Sequence, residues 1–257
     1  MVTPLPIGFR DVDRVAVGGC IRCLDGIVRL PAGRAYKERS RSLLNLGPGD
    51  PVLDVACGLG DDVAALQAEG ALAVGVDRSR SLIAAAQARH GSSGSLFAVA
   101  EAGALPLASG SFAAVRIDRA LQHIDDPARV VEEMARVTRP GGVVLAAEPD
   151  WGTFLLAGPA GPVREGIEDH WRRSFRHPWI GRELPQLLAD AGLVDRGQEA
   201  IWLATEGFAD TDLLFEVAAT VQHLAPTLPG AGDWLAAYRA GDVRAGVLIL
   251  ISWGRRP

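Results

Sequence analysis

Three carboxylates and two glycines fall within the nine residues Asp54-Val-Ala-Cys-Gly-Leu-Gly-Asp-Asp62. The apolar run Val52–Val55 before them reads as a buried parallel strand, and Val63 to Glu69 after them as a helix. Glycines between a strand and a helix let a ligand approach the backbone, and the helix start offers unpaired N–H groups. A dinucleotide fingerprint needs a third glycine, and Val63 stands in its place. No G-x-x-x-x-G-K-[ST] phosphate loop occurs. Asp61 and Asp62 put negative charge where the helix dipole would otherwise favour a pyrophosphate. The turn therefore reads as a cradle for a cationic ligand, with Asp54 facing it. Asp77, 17 residues beyond Gly60, ends the run Ala73-Val-Gly-Val-Asp77 and suits a carboxylate that holds ribose hydroxyls from the neighbouring strand.

Five segments in order carry a resemblance to a known family. They are Val52-Leu-Asp-Val-Ala-Cys-Gly-Leu-Gly60, Gly75-Val-Asp77, Ala100-Glu-Ala-Gly-Ala-Leu-Pro-Leu-Ala-Ser-Gly-Ser-Phe112, Leu121-Gln-His-Ile-Asp-Asp-Pro127 and Arg136-Val-Thr-Arg-Pro-Gly-Gly142. Together they resemble the motifs of the class I S-adenosylmethionine-dependent methyltransferases, in the small-molecule branch similar to the ubiquinone and menaquinone enzymes. Ala56 stands where the family more often has Gly. The resemblance implies an α/β, Rossmann-like, doubly wound and mostly parallel seven-stranded sheet with its last strand antiparallel, plus a partly helical substrate lid. It implies S-adenosylmethionine as cofactor. Asp54, Ala56, Gly58 and Gly60 would surround the methionine part, Asp77 would hold the ribose, and Arg78 would lie beside the adenine. Glu101, where the family often has Asp, would accept from the adenine amino group, and Ala102 would offer its backbone N–H to the ring. Arg119 would lie at the amino-acid end.

Methyl transfer from a sulfonium is an in-line displacement, so the enzyme mainly places nucleophile and methyl close, aligned and dry. A base helps when the acceptor is a hydroxyl or a protonated amine. His123 follows the fourth strand and is the candidate base, since the unperturbed pKa of an imidazole suits proton transfer near neutrality. A packing role stays open beside it, because the resembled motif carries a histidine in members of differing chemistry. His170, His177 and His223 are weaker alternatives. Glu148 and Asp150 end the fifth strand, where they would orient substrate; two carboxylates are thin support for a metal site, and none is expected. In the leading helix, Tyr36, Arg39 and Arg41 either touch ligand or form a solvated face.

Composition narrows the classes. The chain has 257 residues, 48% of them hydrophobic, enough for one large α/β domain with a substantial core. The net charge of −5, without a basic cluster, disfavours nucleic acid. No apolar run is long enough to span a membrane, and no charged-then-oily leader is seen, so a cytoplasmic protein is expected. Three cysteines are too few for a disulfide framework. Cys20 and Cys23 form a lone C-x-x-C that reads as two buried thiols rather than as half of a zinc site. Lys37 is the only lysine, a bias attributed to genome composition.

The elements follow. Residues 1–33 are broken repeatedly by Pro4, Pro6, Gly8, Gly18, Gly19, Gly26, Pro31 and Gly33. A helix is expected from Arg34 to Leu46. Strands near 52–56, 72–77, 95–100, 112–118 and 142–148 alternate with helices near 61–70, 80–90 and 126–139, which argues for a parallel sheet with helices on both faces. The alternation stops at 149–180, a stretch studded with Trp151, Trp171, Phe175 and Trp179. A helix over Arg182–Ala191, a strand over Val194–Thr205 and a closing strand over Ala245–Trp253 complete the sheet. Three parts result: 1–50 covering the site, 51–150 binding the cofactor, and 151–257 finishing the sheet with lid insertions near 151–180 and 207–240.

The expected activity is methyl transfer to O, N or C of a small, apolar or aromatic metabolite, by a monomer or homodimer with no nucleic-acid or membrane partner. The alternatives are a methyltransferase-fold protein that performs a non-methylating conversion such as cyclisation, or a binding module. A nicotinamide enzyme ranks last.

Overall fold

The computed structural model describes residue 9, residues 11–14 and residues 17–257. Pro4, Pro6 and Gly8 lie outside the described residues. Seven strands form one sheet: β1 (Pro51–Val55), β2 (Leu72–Asp77), β3 (Leu96–Val99), β4 (Phe112–Asp118), β5 (Thr138–Ala157), β6 (Val194–Glu206) and β7 (Arg244–Arg255). Their order is β3-β2-β1-β4-β5-β7-β6. β1 to β5 pair in parallel, and β7 runs antiparallel to both β5 and β6. The seven-stranded class I methyltransferase arrangement is thus present, with its final strand antiparallel.

The apolar run Val52, Leu53, Val55 is fully buried because both faces of the sheet are covered. Val52 belongs to the core on one face, with Val63 and Leu66 of α3 (Asp61–Ala68). Leu53 and Val55 belong to the core on the other, with Val130 and Met134 of α5 (Pro127–Val137). Between these two helices in sequence comes α4 (Arg80–His90). The start of α5 is set as the sequence suggests: Asp126 accepts from Arg129 N at 3.0 Å, and Pro127 opens the first turn.

The segment full of glycines folds into helix α1 (Val17–Arg29), and α2 spans Pro31–Ser42 rather than starting at Arg34. Pro31 opens α2, a position where its missing N–H costs nothing. A Cβ on Gly33 would sit 1.9 Å from Ile27 O, so this glycine permits the close crossing of α1 and α2. Packing has overridden the breaker pattern here.

β5 also departs from expectation. It continues past residue 148 through Trp151 to Ala157, because β7 goes on pairing with it: Pro149 opposes Ile249 and Asp150 opposes Leu248. Pairing with β4 ends at Ala147, so Pro149 has a neighbouring strand on one side only, where its missing N–H is tolerated, and the register with β7 shifts beyond it, between Asp150 and Leu155. Beyond the strand come α6 (Pro162–Ser174), α7 (Ile180–Asp190), α8 (Gly207–Phe215), α9 (Val217–Leu224) and α10 (Ala231–Ala240). Among the described residues no helix is long and apolar enough to cross a membrane.

Candidate active site

The strand order reverses between β1 and β4, and parallel sheets open a crevice beyond the carboxyl ends of the strands at such a point. A cavity of about 580 Å³ lies there. At one end its walls are Ala56 and Gly58 after β1, Asp77 and Arg78 at the tip of β2, and Glu101 and Ala102 after β3. Asp77 is buried and fixed: its Oδ2 accepts from Gly58 N at 3.0 Å and its Oδ1 from Ser79 N at 2.8 Å. Burial pushes its carboxyl up, against the pull of those two N–H groups. Ala56 has φ 55°, in the left-handed region that costs a non-glycine residue about 1–2 kcal/mol. The position where this chain departs from its resembled motif is therefore one that glycine would fill without strain.

The N-terminal segment closes this end. Asp13 reaches the start of α4, where Ser79 Oγ donates to it at 2.6 Å, Arg80 N at 2.9 Å and Ser81 N at 3.1 Å. The Ser79 bond above all holds the Asp13 carboxyl down at about 2. Phe9, Val12 and Asp13 line the cavity.

Beneath the turn lies an ionic cluster that the sequence reading missed. Arg116, in the middle of β4, is 0% exposed. Its guanidinium lies 2.9 Å from Asp54, 3.0 Å from Asp62 and 3.6 Å from Asp118. Lys37 joins Asp62 and lies 2.7 Å from Asp118, and Arg41 lies 2.9 Å from Asp62. The only lysine of the chain is thus a buried counter-ion, and Asp62 faces these cations rather than a ligand. Asp61 pairs with His90 at 3.2 Å. The acids of the turn therefore do not select a cationic ligand. A charged residue inside the apolar run Phe112–Ile117 is the one signal that could have revealed the cluster.

The far end of the cavity is aromatic. Trp151 stacks on Phe175 with ring centroids 4.2 Å apart and planes 13° apart, and Trp171 stacks at 5.3 Å. Phe215 and Leu214 from α8, with Val247 and Ile249 from β7, complete that wall. Between the two ends lie Asp118, Arg119, Gln122 and His123. The His123 ring lies between Phe9, at 5.6 Å, and Phe175, at 5.5 Å. Arg119 adopts φ 53°, and its buried Nε lies 3.7 Å from Asp118 Oδ1, an ion pair just beyond hydrogen-bond distance.

The structure thus gathers Ala56, Gly58, Asp77, Arg78, Glu101, Ala102, Arg119 and His123 around one cavity. It does not bring Asp54 or Gly60 to the wall. Asp54 is bound to Arg116, and Gly60, at φ 78°, is needed where α3 meets the sheet, since a Cβ there would lie 2.5 Å from the Phe97 ring. Tyr36, Arg39 and Arg41 also stand away from it. Tyr36 donates to Asp118 at 3.2 Å, Arg39 pairs with Glu199 at 2.8 Å, and Arg41 bridges Asp62 and Glu69. His170 and His223 pair with each other, rings 5.2 Å apart, and neither lines the cavity; nor does His177. Glu148 accepts from Ala120 N at 2.8 Å and Leu121 N at 2.7 Å, whereas Asp150 pairs with Arg182 at 2.6 Å. Trp179 is 45% exposed and outside the aromatic wall. Cys20 and Cys23 are buried, and burial pushes both thiols up to about 11. Among the described residues no three His, Cys, Asp or Glu side chains group as metal ligands.

Comparison with known proteins adds sequence to this geometry. Residues 53–146 match a family described as a methyltransferase domain. The chain is 34% identical over 184 residues to an uncharacterized 37.1 kDa protein in transposon TN4556 of Streptomyces fradiae, covering 69% of this chain and 53% of the relative. It is 39% identical over 115 residues to a demethylmenaquinone methyltransferase of Corynebacterium glutamicum, covering 45% and 48% respectively. The chain spans about half the length of these curated relatives. Among solved structures, phosphoethanolamine N-methyltransferase 2 of Haemonchus contortus in complex with S-adenosyl-L-methionine shares the fold, with a TM-score of 0.64 and 18% identity over 97% of this chain and 60% of that one.

Proposed function

We propose, from the premise that this chain belongs to the class I S-adenosylmethionine-dependent methyltransferase superfamily, that it transfers a methyl group to a small, apolar or aromatic acceptor. The observation that carries the reading is the single cavity that runs from the Asp77 strand tip to the Trp151–Phe175 stack. It offers a polar end for a nucleoside and an apolar end for an acceptor.

The residues present suit that cofactor. Asp77 is a rigid carboxylate at a strand tip, suited to ribose hydroxyls. Arg119, whose Nε lies 3.7 Å from Asp118 Oδ1, brings a guanidinium to the cavity wall, suited to the carboxylate of the amino-acid end. Ala56, Gly58 and the chain between them give close backbone approach. Arg78, Glu101 and Ala102 stand where the adenine would lie. S-adenosylmethionine, when bound, supplies a methyl group on a sulfonium. Asp54 and Gly60 serve this site from behind, holding Arg116 and the α3 junction. Trp151, Phe175 and Phe9 keep water from the acceptor end, and His123 between them takes the proton when the acceptor is a hydroxyl or an amine.

The test is transfer of label from methyl-labelled S-adenosylmethionine to a panel of hydroquinones, phenols and aromatic amines. Label in at least one product is the expected result. Cofactor binding without transfer to any member would count against methylation of this acceptor class and favour a different conversion in the same cavity.

A further inference from the structure

Gln122 sits in the short turn Leu121–His123, is 4% exposed and lines the cavity between its two ends. Its Nε2 donates to Arg119 O at 3.0 Å, and its Oε1 accepts from Trp151 Nε1 at 2.6 Å. The orientation of the amide is fixed by its partners. An indole N–H only donates and a carbonyl only accepts, so the amide fits one way round. The main chain of Gln122 adds a third link, since its carbonyl accepts from His177 N at 3.2 Å. Trp151 N in turn donates to Pro178 O at 2.9 Å.

Each side-chain bond ends on a residue whose placement matters to the cavity. Arg119 is held at φ 53°, a strained backbone that needs external support, and the residue lines the cavity. Trp151 is the centre of the aromatic wall, stacked on both Phe175 and Trp171. A shift of the indole therefore moves the amide, and the amide moves the Arg119 carbonyl.

We propose that Gln122 is a positioning residue that couples the cofactor end of the cavity to its aromatic wall, so that the two are set together. The proposal rests on the cofactor reading above. It accounts for a buried amide whose two side-chain bonds end on Arg119 and on Trp151. It also assigns Trp151 an effect on cofactor affinity, although its ring lies at the far end.

The experiment is a titration with S-adenosylhomocysteine of the wild type, Gln122→Met, Trp151→Phe and the double variant. Trp151→Phe keeps a stacking ring and loses only the N–H donor and the second ring. Gln122→Met is expected to weaken binding about tenfold and Trp151→Phe about threefold, the scale of one lost hydrogen bond. The double variant is expected to bind no more weakly than Gln122→Met alone, because Trp151 acts through the amide. Should Gln122→Met fail to fold, Gln122→Glu keeps the acceptor for Trp151 and lacks the donor for Arg119 O, and it too should weaken binding. Wild-type affinity in Trp151→Phe, or effects that simply multiply, would overturn the coupling while leaving the cofactor site standing. No binding by the wild type would overturn the cofactor reading, and this proposal with it.

Discussion

Arg116 and Asp62 lie 3.0 Å apart, with the arginine side chain wholly buried and the aspartate nearly so. This pair joins the strand that ends at Asp118 to the helix that follows the glycine turn. The turn above it is held by charge as well as by packing. Burial works against ionisation of Asp62, and Arg116 and Lys37 outweigh it, holding its carboxyl well below the usual range.

Removing the guanidinium leaves Asp54 and Asp62 buried without their main partner. Arg116→Met should therefore cost about 3–5 kcal/mol of unfolding free energy, the scale of a broken buried ion pair. Urea unfolding monitored by circular dichroism measures this. A loss below about 1 kcal/mol, the worth of a surface pair, would contradict the account.

Glu148 gives a pH dependence. It is fully buried, accepts from two backbone N–H groups of the turn carrying Gln122 and His123, and has a second oxygen, Oε2, without a partner among the described residues. Burial pushes its carboxyl from 4.5 up to about 8, and the N–H groups of Leu121 and Ala120 only partly oppose this. Folding thus takes up a proton. The stability tied to this group is full below the unfolded value of 4.5 and is lost as the pH rises through about 8. Glu148→Gln is neutral throughout. Its stability relative to wild type should rise between pH 5 and 9, by an amount on the order of a few kcal/mol. Thermal melts across that range would show it, and a difference independent of pH would contradict it.

His123 separates placement from chemistry. Its ring contacts those of Phe9 and Phe175, at centroid distances of 5.6 and 5.5 Å. His123→Asn should leave S-adenosylhomocysteine affinity within about twofold while slowing transfer to a hydroxyl or amine acceptor by roughly 10²–10⁴, the range of general-base contributions. Equal loss of binding and rate would show a packing role instead.

The parallel half of the sheet was legible because its strands are apolar on both faces and its turns carry small residues at strand ends. Asp77 was legible for the same reason, as a lone acid closing an oily strand. Less was visible where tertiary contact decides. Gly33 looks like a breaker and serves as the crossing point of two helices. Pro149 looks like the end of β5, yet the strand runs on because β7 pairs alongside it. Asp54, Asp62 and Lys37 look like ligand-facing or surface charges, and only their meeting around Arg116 shows where they point. Gln122 lies within one of the five quoted segments, but its partners, the Arg119 carbonyl and the Trp151 indole, are set by the fold.

The measurement that bears most directly on the central claim is titration of the purified protein with S-adenosylmethionine and with S-adenosylhomocysteine, repeated with Asp77→Ala. The account expects binding in the micromolar range to the wild type and a loss of at least about 100-fold in the variant, since on the proposed reading the buried Asp77 carboxylate would accept from ribose hydroxyls through charge-assisted hydrogen bonds. Absence of binding at millimolar concentration, or binding that Asp77→Ala leaves unchanged, would contradict it.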